Sequence, residues 1–248
     1  MLTEERHSII IDTVNRKKNV ELNELCELLD TSESTVRRDL SILHDKGVLV
    51  KVRGGAIAVD DSYTAHEQNV DEKAVLFVKE KEAIARYAAS LIEDGDFVFI
   101  DAGTTTEKMI DFIPARQVTF VTNAFVHAKR LAQRGFKVFL PAGEIKLSTE
   151  AIIGASCVLS LDQYNFTKCF MGVNGISVTG GFSTPDPNEA SVKAAVINNS
   201  HTAYILADHS KFDKTSSVKF AFLNKCRIIT DRLEDKKYLS ETSVKEVL

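Results

Sequence analysis

Between Ser32 and Ala56 the chain changes its period. The stretch SESTVRRDLSILHDKGVLVKVRGGA opens with Val36, Leu40 and Leu43 at helical spacing. It closes with Val48, Val50 and Val52 alternating with Leu49, Lys51 and Arg53. The first pattern is one face of a helix and the second a strand. Ser32 stands where an N-cap accepts from the first helical turn, and Glu33 follows where the helix dipole favours an acid. Gly47 lies where a left-handed glycine ends a helix. Gly54-Gly55 supplies the turn from which residues 56–59 return. A helix running into a short basic hairpin leaves few folds open.

The preceding residues complete the unit. Thr3 is placed to cap a first helix, with Ile10 and Val14 on its buried face and Ile11 at the edge. That helix ends near Arg16-Lys17-Lys18, which reads either as a solvated helix end or as a phosphate contact. Residues 21–28 form a second helix with Leu22, Leu25 and Leu28 as its stripe, and Asp30-Thr31 makes the turn. Together these predict a winged helix-turn-helix over residues 1–58. Its seam turns Ser34, Thr35, Arg37, Arg38 and Ser41 towards other faces, where the start of a recognition helix meets base edges in the major groove of double-stranded DNA. One arginine faces the groove and the other the backbone, and the sequence leaves open which. Lys51 and Arg53 on the wing are placed to reach phosphate.

Charge supports that reading through its distribution. The formal net charge is -4, yet residues 34–58 carry five Lys and Arg against two acids. A local basic patch on an acidic chain suits a DNA reader that releases other polyanions. No apolar run approaches the ~20 residues of a transmembrane helix, and the N-terminus has no secretory pattern. Cys26, Cys157, Cys169 and Cys226 are scattered without zinc spacing. They read as free thiols in a reducing cytoplasm, with no metal and no cofactor expected.

Residues 59–74 are largely polar, read as a linker and include the hinge Asp60–Glu72. A long amphipathic helix from Lys79 follows, burying Ile84, Ala88, Leu91 and Ile92. From there strands and helices alternate. Strands are expected at residues 97–100, 118–121, 136–140, 168–173, 203–207 and 227–230, with a short edge strand at 245–248. Helices are expected after Thr104 and at residues 125–133, 152–161 and 188–198. Repeated βα units imply a mainly parallel sheet covered on both faces over residues 75–248. Such sheets bind ligands beyond the carboxyl ends of their strands.

Those ends carry the polar residues. Asp101 leads through Gly103 into Thr104, Thr105 and Thr106, a glycine turn at a helix N-terminus that can cradle phosphate. The turn lacks the lysine of a nucleotide-triphosphate loop. Asn123, Asp208 and Lys211 follow other strands. The loop from Gly180 through Asp186 leads to Glu189 and Lys193, four apart on a helix, either a surface salt bridge or partners for a sugar's hydroxyls and phosphate. His209 either touches a ligand or packs its turn. The set suits a phosphorylated sugar or polyol.

STVRRDL with KGVLVKVRGGA, and downstream DAGTTT, VTN, GGFSTPDPNEASVK and ADHSKF, resemble the DeoR-type bacterial repressors over nearly the whole chain. The resemblance implies an effector domain of the ribose-5-phosphate-isomerase-like type and a homo-oligomer, dimer or tetramer. It implies repression of a sugar-utilisation operon, fructose foremost, relieved by a sugar phosphate such as fructose 1-phosphate. It carries the effector role onto Asp101, Gly103 to Thr106, Asn123, Glu189, Lys193 and Lys211. Ala142-Gly143-Glu144 departs from the Gly-Gly common there. In such helices Asp39 orients an arginine. The competing reading is a phosphosugar isomerase with a DNA-binding module, using Asp186 or Glu189 as base and Lys211 as electrophile.

Overall fold

The change of period at residues 32–56 is realised as helix and hairpin in the computed structural model, which describes residues 3–17, 19–45, 48–57, 63–64 and 69–248. Two compact units divide the chain, Met1–Asp61 and Ser62–Leu248.

The first unit runs α1 (Thr3–Lys17), β1 (Asn19–Glu21), α2 (Leu22–Leu29), α3 (Glu33–Asp45), β2 (Val50–Val52) and β3 (Gly55–Ile57). Its core joins Ile10 and Val14 of α1, Leu22, Leu25 and Leu29 of α2, and Val36, Leu40 and Leu43 of α3 with Leu49. Each such side chain gains roughly 1.5–3 kcal/mol on burial, before entropy. Leu28, expected in the stripe, is half exposed, and Leu29 is buried instead. The helical repeat explains the exchange. Seven residues complete almost two turns, so Leu29 rather than Leu28 falls beneath Leu22.

Strand β1 has no counterpart in the sequence pattern. It pairs antiparallel with β3, which pairs with β2 in turn. This third strand explains the diglycine. Gly54 turns with φ +97, whereas Gly55 already belongs to β3, and a Cβ on it would meet the Val20 carbonyl oxygen at 2.1 Å. The expected Gly47 cap, with Lys46 and Lys18, lies outside the described residues, as do residues 58–62.

In the second unit, β4 (Tyr63–Thr64) and α4 (Val70–Ala74) fall within the stretch expected as linker, whose residues 65–68 lie outside the described residues. The helix forms because Asn69 and Glu72 make a reciprocal capping box. Then come α5 (Val78–Ser90), β5 (Phe97–Ile100), α6 (Thr104–Phe112), β6 (Thr119–Thr122), α7 (Phe125–Gln133), β7 (Lys137–Phe139), β8 (Glu144–Lys146), β9 (Ala151–Ile153), α8 (Ala155–Leu161) and β10 (Phe166–Gly172). The rest is β11 (Gly175–Ser177), β12 (Gly181–Thr184), α9 (Pro187–Asn198), β13 (Ser200–Leu206), β14 (Thr215–Ser216), β15 (Val218–Ala221), β16 (Arg227–Thr230) and β17 (Val244–Glu246).

Seven strands form one parallel sheet in the order β17-β16-β13-β10-β5-β6-β7. Successive residues serve opposite faces. Phe99 packs with Cys157, Leu161, Val192 and Val196 beneath α8 and α9, while Val98 and Ile100 pack with Ile84, Ala88, Met109 and Leu131 beneath α5, α6 and α7. Two expectations change. The helix expected from residue 152 starts at Ala155, because Ala151–Ile153 pairs with Glu144–Lys146 and Gly154 breaks the run at φ +93. The loop from Gly180 contains β12, the centre of a small antiparallel sheet with β11 and β15.

The sheet order reverses between β5 and β10. From β5 the chain moves outward through β6 and β7, then crosses to β10 on the other side. A parallel sheet opens a crevice at such a switch point, outside the strand ends.

Candidate functional site

A cleft partly open to solvent occupies that crevice. Asp101 follows β5, and Asn123 follows β6. Gly172 ends β10, with Val173 and Asn174 beyond it. Asp208 follows β13. All of them line the cleft, with Gly103 to Thr106 at the start of α6 and Glu189 and Lys193 from α9. Lys211 joins from the turn after Asp208.

Asp101 and Lys193 form its floor. Lys193 Nζ donates to Asp101 Oδ2 and, at 3.2 Å, to the Gly172 carbonyl, and Gly172 N–H donates to the same Oδ2 at 2.9 Å. Burial pushes the Asp101 carboxyl above its ordinary value, against the pull of Lys193. Of the two readings of Glu189 and Lys193, the surface salt bridge between them is not formed, since Lys193 pairs with Asp101 and Glu189 with Lys146. Glu189 instead accepts from Thr149 Oγ1 at 2.7 Å and Lys146 Nζ at 3.1 Å, with the Thr184 hydroxyl at 3.3 Å. Burial raises its pKa, but the charge of Lys193 and the bonds to Thr149 and Lys146 outweigh it, so the carboxyl sits below its ordinary value. Such a group is a poor base near neutral pH.

Several expected ligand groups are committed to the frame. Asn123 Oδ1 accepts from Ala102 N–H at 3.0 Å, and its Nδ2 donates to Ile152 O. The Thr106 hydroxyl lies 2.7 Å from Asp101 O and 2.8 Å from Gly103 O, bracing the turn. Asp186 is not among the cleft-lining residues. It caps α9, accepting from Asn188 N–H at 2.7 Å, and pairs with Lys146 at 2.9 Å. A proline at the first helical position after an aspartate explains this as local capping. The Ala142-Gly143-Glu144 turn also lies off the cleft lining. His209 packs its turn, with Nδ1 2.6 Å from Asp231 Oδ2 and its ring edge-on to Phe77.

What remains faces the space. The first N–H groups of α6 have no partner within a helix, and Thr104 and Thr105 flank them. Lys81, from α5, joins the lining without being among the residues expected from sequence. It is buried, donates to the Lys73 carbonyl, and has its pKa lowered to about 8 by burial, with Asp208 pulling the other way. Its signal was legible as a lysine at the head of the stripe Lys81, Ile84, Ala85, Ala88. Asp208 Oδ1 takes both the N–H and hydroxyl of Ser210, whereas its buried Oδ2 has no hydrogen-bond partner among the described residues. Thr149, Ala151 and Lys73 complete the missed lining; they come from elements that sequence order does not place near β5. Behind the turn, His127 is buried and neutral, its pKa lowered to about 4, with Nε2 3.2 Å from Gly103 O.

The arrangement can hold an anion at the α6 N-terminus between lysines, and hydroxyl donors at carboxylate oxygens. Among the described residues no group of three or more His, Cys, Asp and Glu is placed for a metal, and no helix is long and apolar enough to cross a membrane.

The first unit presents a different surface. Ser34, Arg37 and Arg38 are exposed on α3, and Thr35 and Ser41 half-buried. Thr35 Oγ1 is turned back to Ser32 Oγ at 3.0 Å, within the cap. Arg37 pairs with Glu33 at 3.0 Å. Lys51 Nζ donates to Ser41 Oγ at 2.7 Å, so the wing strand is tied to the helix, while Arg53 is exposed at the turn. Asp39 is buried and accepts from Arg6 Nε at 2.5 Å, with His7 Nε2 at 3.0 Å. Burial raises its pKa, but those bonds outweigh it and hold the carboxyl below its ordinary value. It does orient an arginine, one on α1.

Comparison with known proteins bears on both units. Residues 6–62 match the DeoR-like helix-turn-helix domain and residues 77–232 the DeoR C terminal sensor domain. The chain is 42% identical to a Bacillus subtilis (strain 168) protein described as an uncharacterized HTH-type transcriptional regulator, FruR, over 100% of this chain and 99% of that one. It is 36% identical to the lactose phosphotransferase system repressor of Staphylococcus aureus (strain N315), over 93% of this chain and 92% of that one. Among solved structures, ribose 5-phosphate isomerase A from Neisseria gonorrhoeae superposes with TM-score 0.40 at 16% identity, over 59% of this chain and 56% of that one, too slight a likeness to carry inference.

Proposed function

The chain belongs to the DeoR family of helix-turn-helix regulators, and from that premise we propose that it is a sequence-specific DNA-binding repressor of a sugar-utilisation operon, released by a phosphorylated sugar. The operon is a fructose operon and the effector fructose 1-phosphate, in keeping with the FruR relative. It is a regulator and not an enzyme.

One observation carries the effector reading. At the switch point, the N-terminus of α6 faces a cleft that also holds Lys81, Lys193, Lys211 and an Asp208 Oδ2 with no hydrogen-bond partner among the described residues. A helix N-terminus with lysines suits phosphate, and a lone buried carboxylate oxygen suits a sugar hydroxyl. Asp101 and Asn123 then act as frame, Thr104 and Thr105 as ligand contacts. On α3, Ser34, Arg37, Arg38 and Ser41, with Lys51 and Arg53 of the wing, supply the DNA face.

The effector acts through unequal affinity for the DNA-competent and DNA-incompetent states. A hundredfold preference is about 2.7 kcal/mol of coupling. The protein works in the cytoplasm as a dimer or tetramer, so that two recognition helices meet half-sites a whole number of DNA turns apart. The test is a gel shift on DNA upstream of its own operon, titrated with fructose 1-phosphate, fructose 1,6-bisphosphate and other hexose phosphates. Release by one of them at low concentration is expected. Retention of the complex against all of them, with no binding by calorimetry, would contradict the effector reading.

A further inference from the structure

The two adjacent arginines of α3 do not occupy equivalent places. The buried seam of the helix is Val36, Asp39, Leu40 and Leu43. At about 100° per residue, Arg38 lies roughly 200° round from Val36 and Arg37 only about 100°. Arg38 therefore stands near the middle of the outward face. Ser34, just over one turn before it, and Ser41, just under one turn after, lie between it and Arg37 around the helix. Arg37 stands on the flank, level with Glu33 and His44.

That flank is the side on which the wing strand lies. His44 Nδ1 is 3.4 Å from Leu49 O, and Lys51 Nζ reaches Ser41 Oγ at 2.7 Å and the Arg37 carbonyl at 3.5 Å. Arg37 is also held, its guanidinium bound to Glu33 at 3.0 Å. Arg38 is exposed and has no hydrogen-bond or ion-pair partner among the described residues. One arginine is thus directed sideways beside the wing lysine, and the other outward with its whole donor fork uncommitted.

We infer that Arg38 reads a base edge in the major groove, and that Arg37, steered by Glu33, contacts phosphate beside Lys51. The assignment rests on the reading of this unit as DNA-binding and goes beyond it by separating the two residues. Guanine presents N7 and O6 to a planar fork, which an arginine spans and a lysine meets only as a point charge. A phosphate contact asks mainly for charge.

The experiment uses the full-length chain. A duplex is selected by the wild-type protein from a random library, and its affinity is compared with that of a scrambled duplex across a salt series. Arg38→Lys is expected to keep affinity for the scrambled duplex and to lose about 10- to 100-fold in discrimination between the two. Arg37→Lys is expected to keep discrimination. Arg37→Ala weakens both duplexes alike and reduces the slope of log affinity against log salt by about 0.9. Both side chains are exposed, so circular dichroism should report unchanged folding. Loss of discrimination in Arg37→Lys with full discrimination in Arg38→Lys would overturn the assignment. A wild-type protein that enriches no duplex would overturn the DNA-reading role itself, an outcome visible before any variant is made.

Discussion

The Lys193 ammonium donates to Asp101, which lies 92 residues earlier in the chain. One residue comes from the middle of α9 and the other follows the end of β5. Their pairing closes the floor of the cleft where the sheet changes direction. Both are almost fully buried. Removing one partner of a buried ion pair leaves an uncompensated charge, which costs about 3–5 kcal/mol. Lys193→Met should therefore lower the urea midpoint of the larger unit and abolish effector binding together. A variant that binds effector normally would remove Lys193 from the site.

Lys81 should make effector binding depend on pH. Its pKa is lowered to about 8 by burial, below the ordinary lysine value. In the free protein the ammonium is disfavoured, so stability rises as pH climbs from about 8 towards the unfolded lysine value near 10.4. An anionic effector favours the charged form. Binding should take up protons near pH 8 and weaken above it. Calorimetry in buffers of different ionisation enthalpy measures the uptake, and Lys81→Met should remove it. Uptake unchanged in the variant would assign the proton elsewhere.

The two wing glycines should differ in cost. Gly54→Ala meets open space, and its φ of +97 alone opposes it, a penalty of about 1–2 kcal/mol. At Gly55 the new Cβ would overlap the Val20 carbonyl at 2.1 Å, so β1 and β3 must separate. Gly55→Ala should lower the unfolding midpoint of the first unit much further and abolish DNA binding. Equal midpoints for the two variants would show that the sheet yields there without cost.

Asp39→Asn should loosen α1 from α3. The wild-type carboxylate accepts from Arg6 and His7, and losing charge-assisted bonds of this kind costs roughly 1.5–3 kcal/mol. Because the folded pKa of Asp39 is lowered, its contribution is present above the unfolded value near 3.9 and is lost as pH falls through the folded value. Thermal melts should separate wild type from Asp39→Asn at pH 7 and converge at strongly acid pH. Coincident melts at pH 7 would mean that the contact contributes nothing.

The sequence was most legible where a local rule decides the outcome. Phe97–Ile100 and Phe125–Gln133 follow from apolar runs and helical period alone. Local rules failed where long-range packing intervened. The strand Asn19–Glu21 exists because β3 comes alongside it, and the turn at Gly55 is shifted by the same contact. In the cleft, strand ends announced Asp101, Asn123 and Asp208. Lys81 and Thr149 come from a helix before the sheet and a hairpin beside it, and only the tertiary fold brings them to Asp101. Asp186 stands three residues before Glu189 in sequence, and its local duty as a helix cap leaves it outside the cleft lining.

In the proposed function the cleft and the DNA face are coupled. Fructose 1-phosphate titrated calorimetrically into the free protein, and into the protein saturated with its selected duplex, tests it directly. The DNA complex should bind the sugar phosphate at least about tenfold more weakly, and saturating sugar phosphate should weaken DNA binding by the same factor, as linkage requires. Equal affinity for fructose 1-phosphate in the free and DNA-bound protein would contradict it.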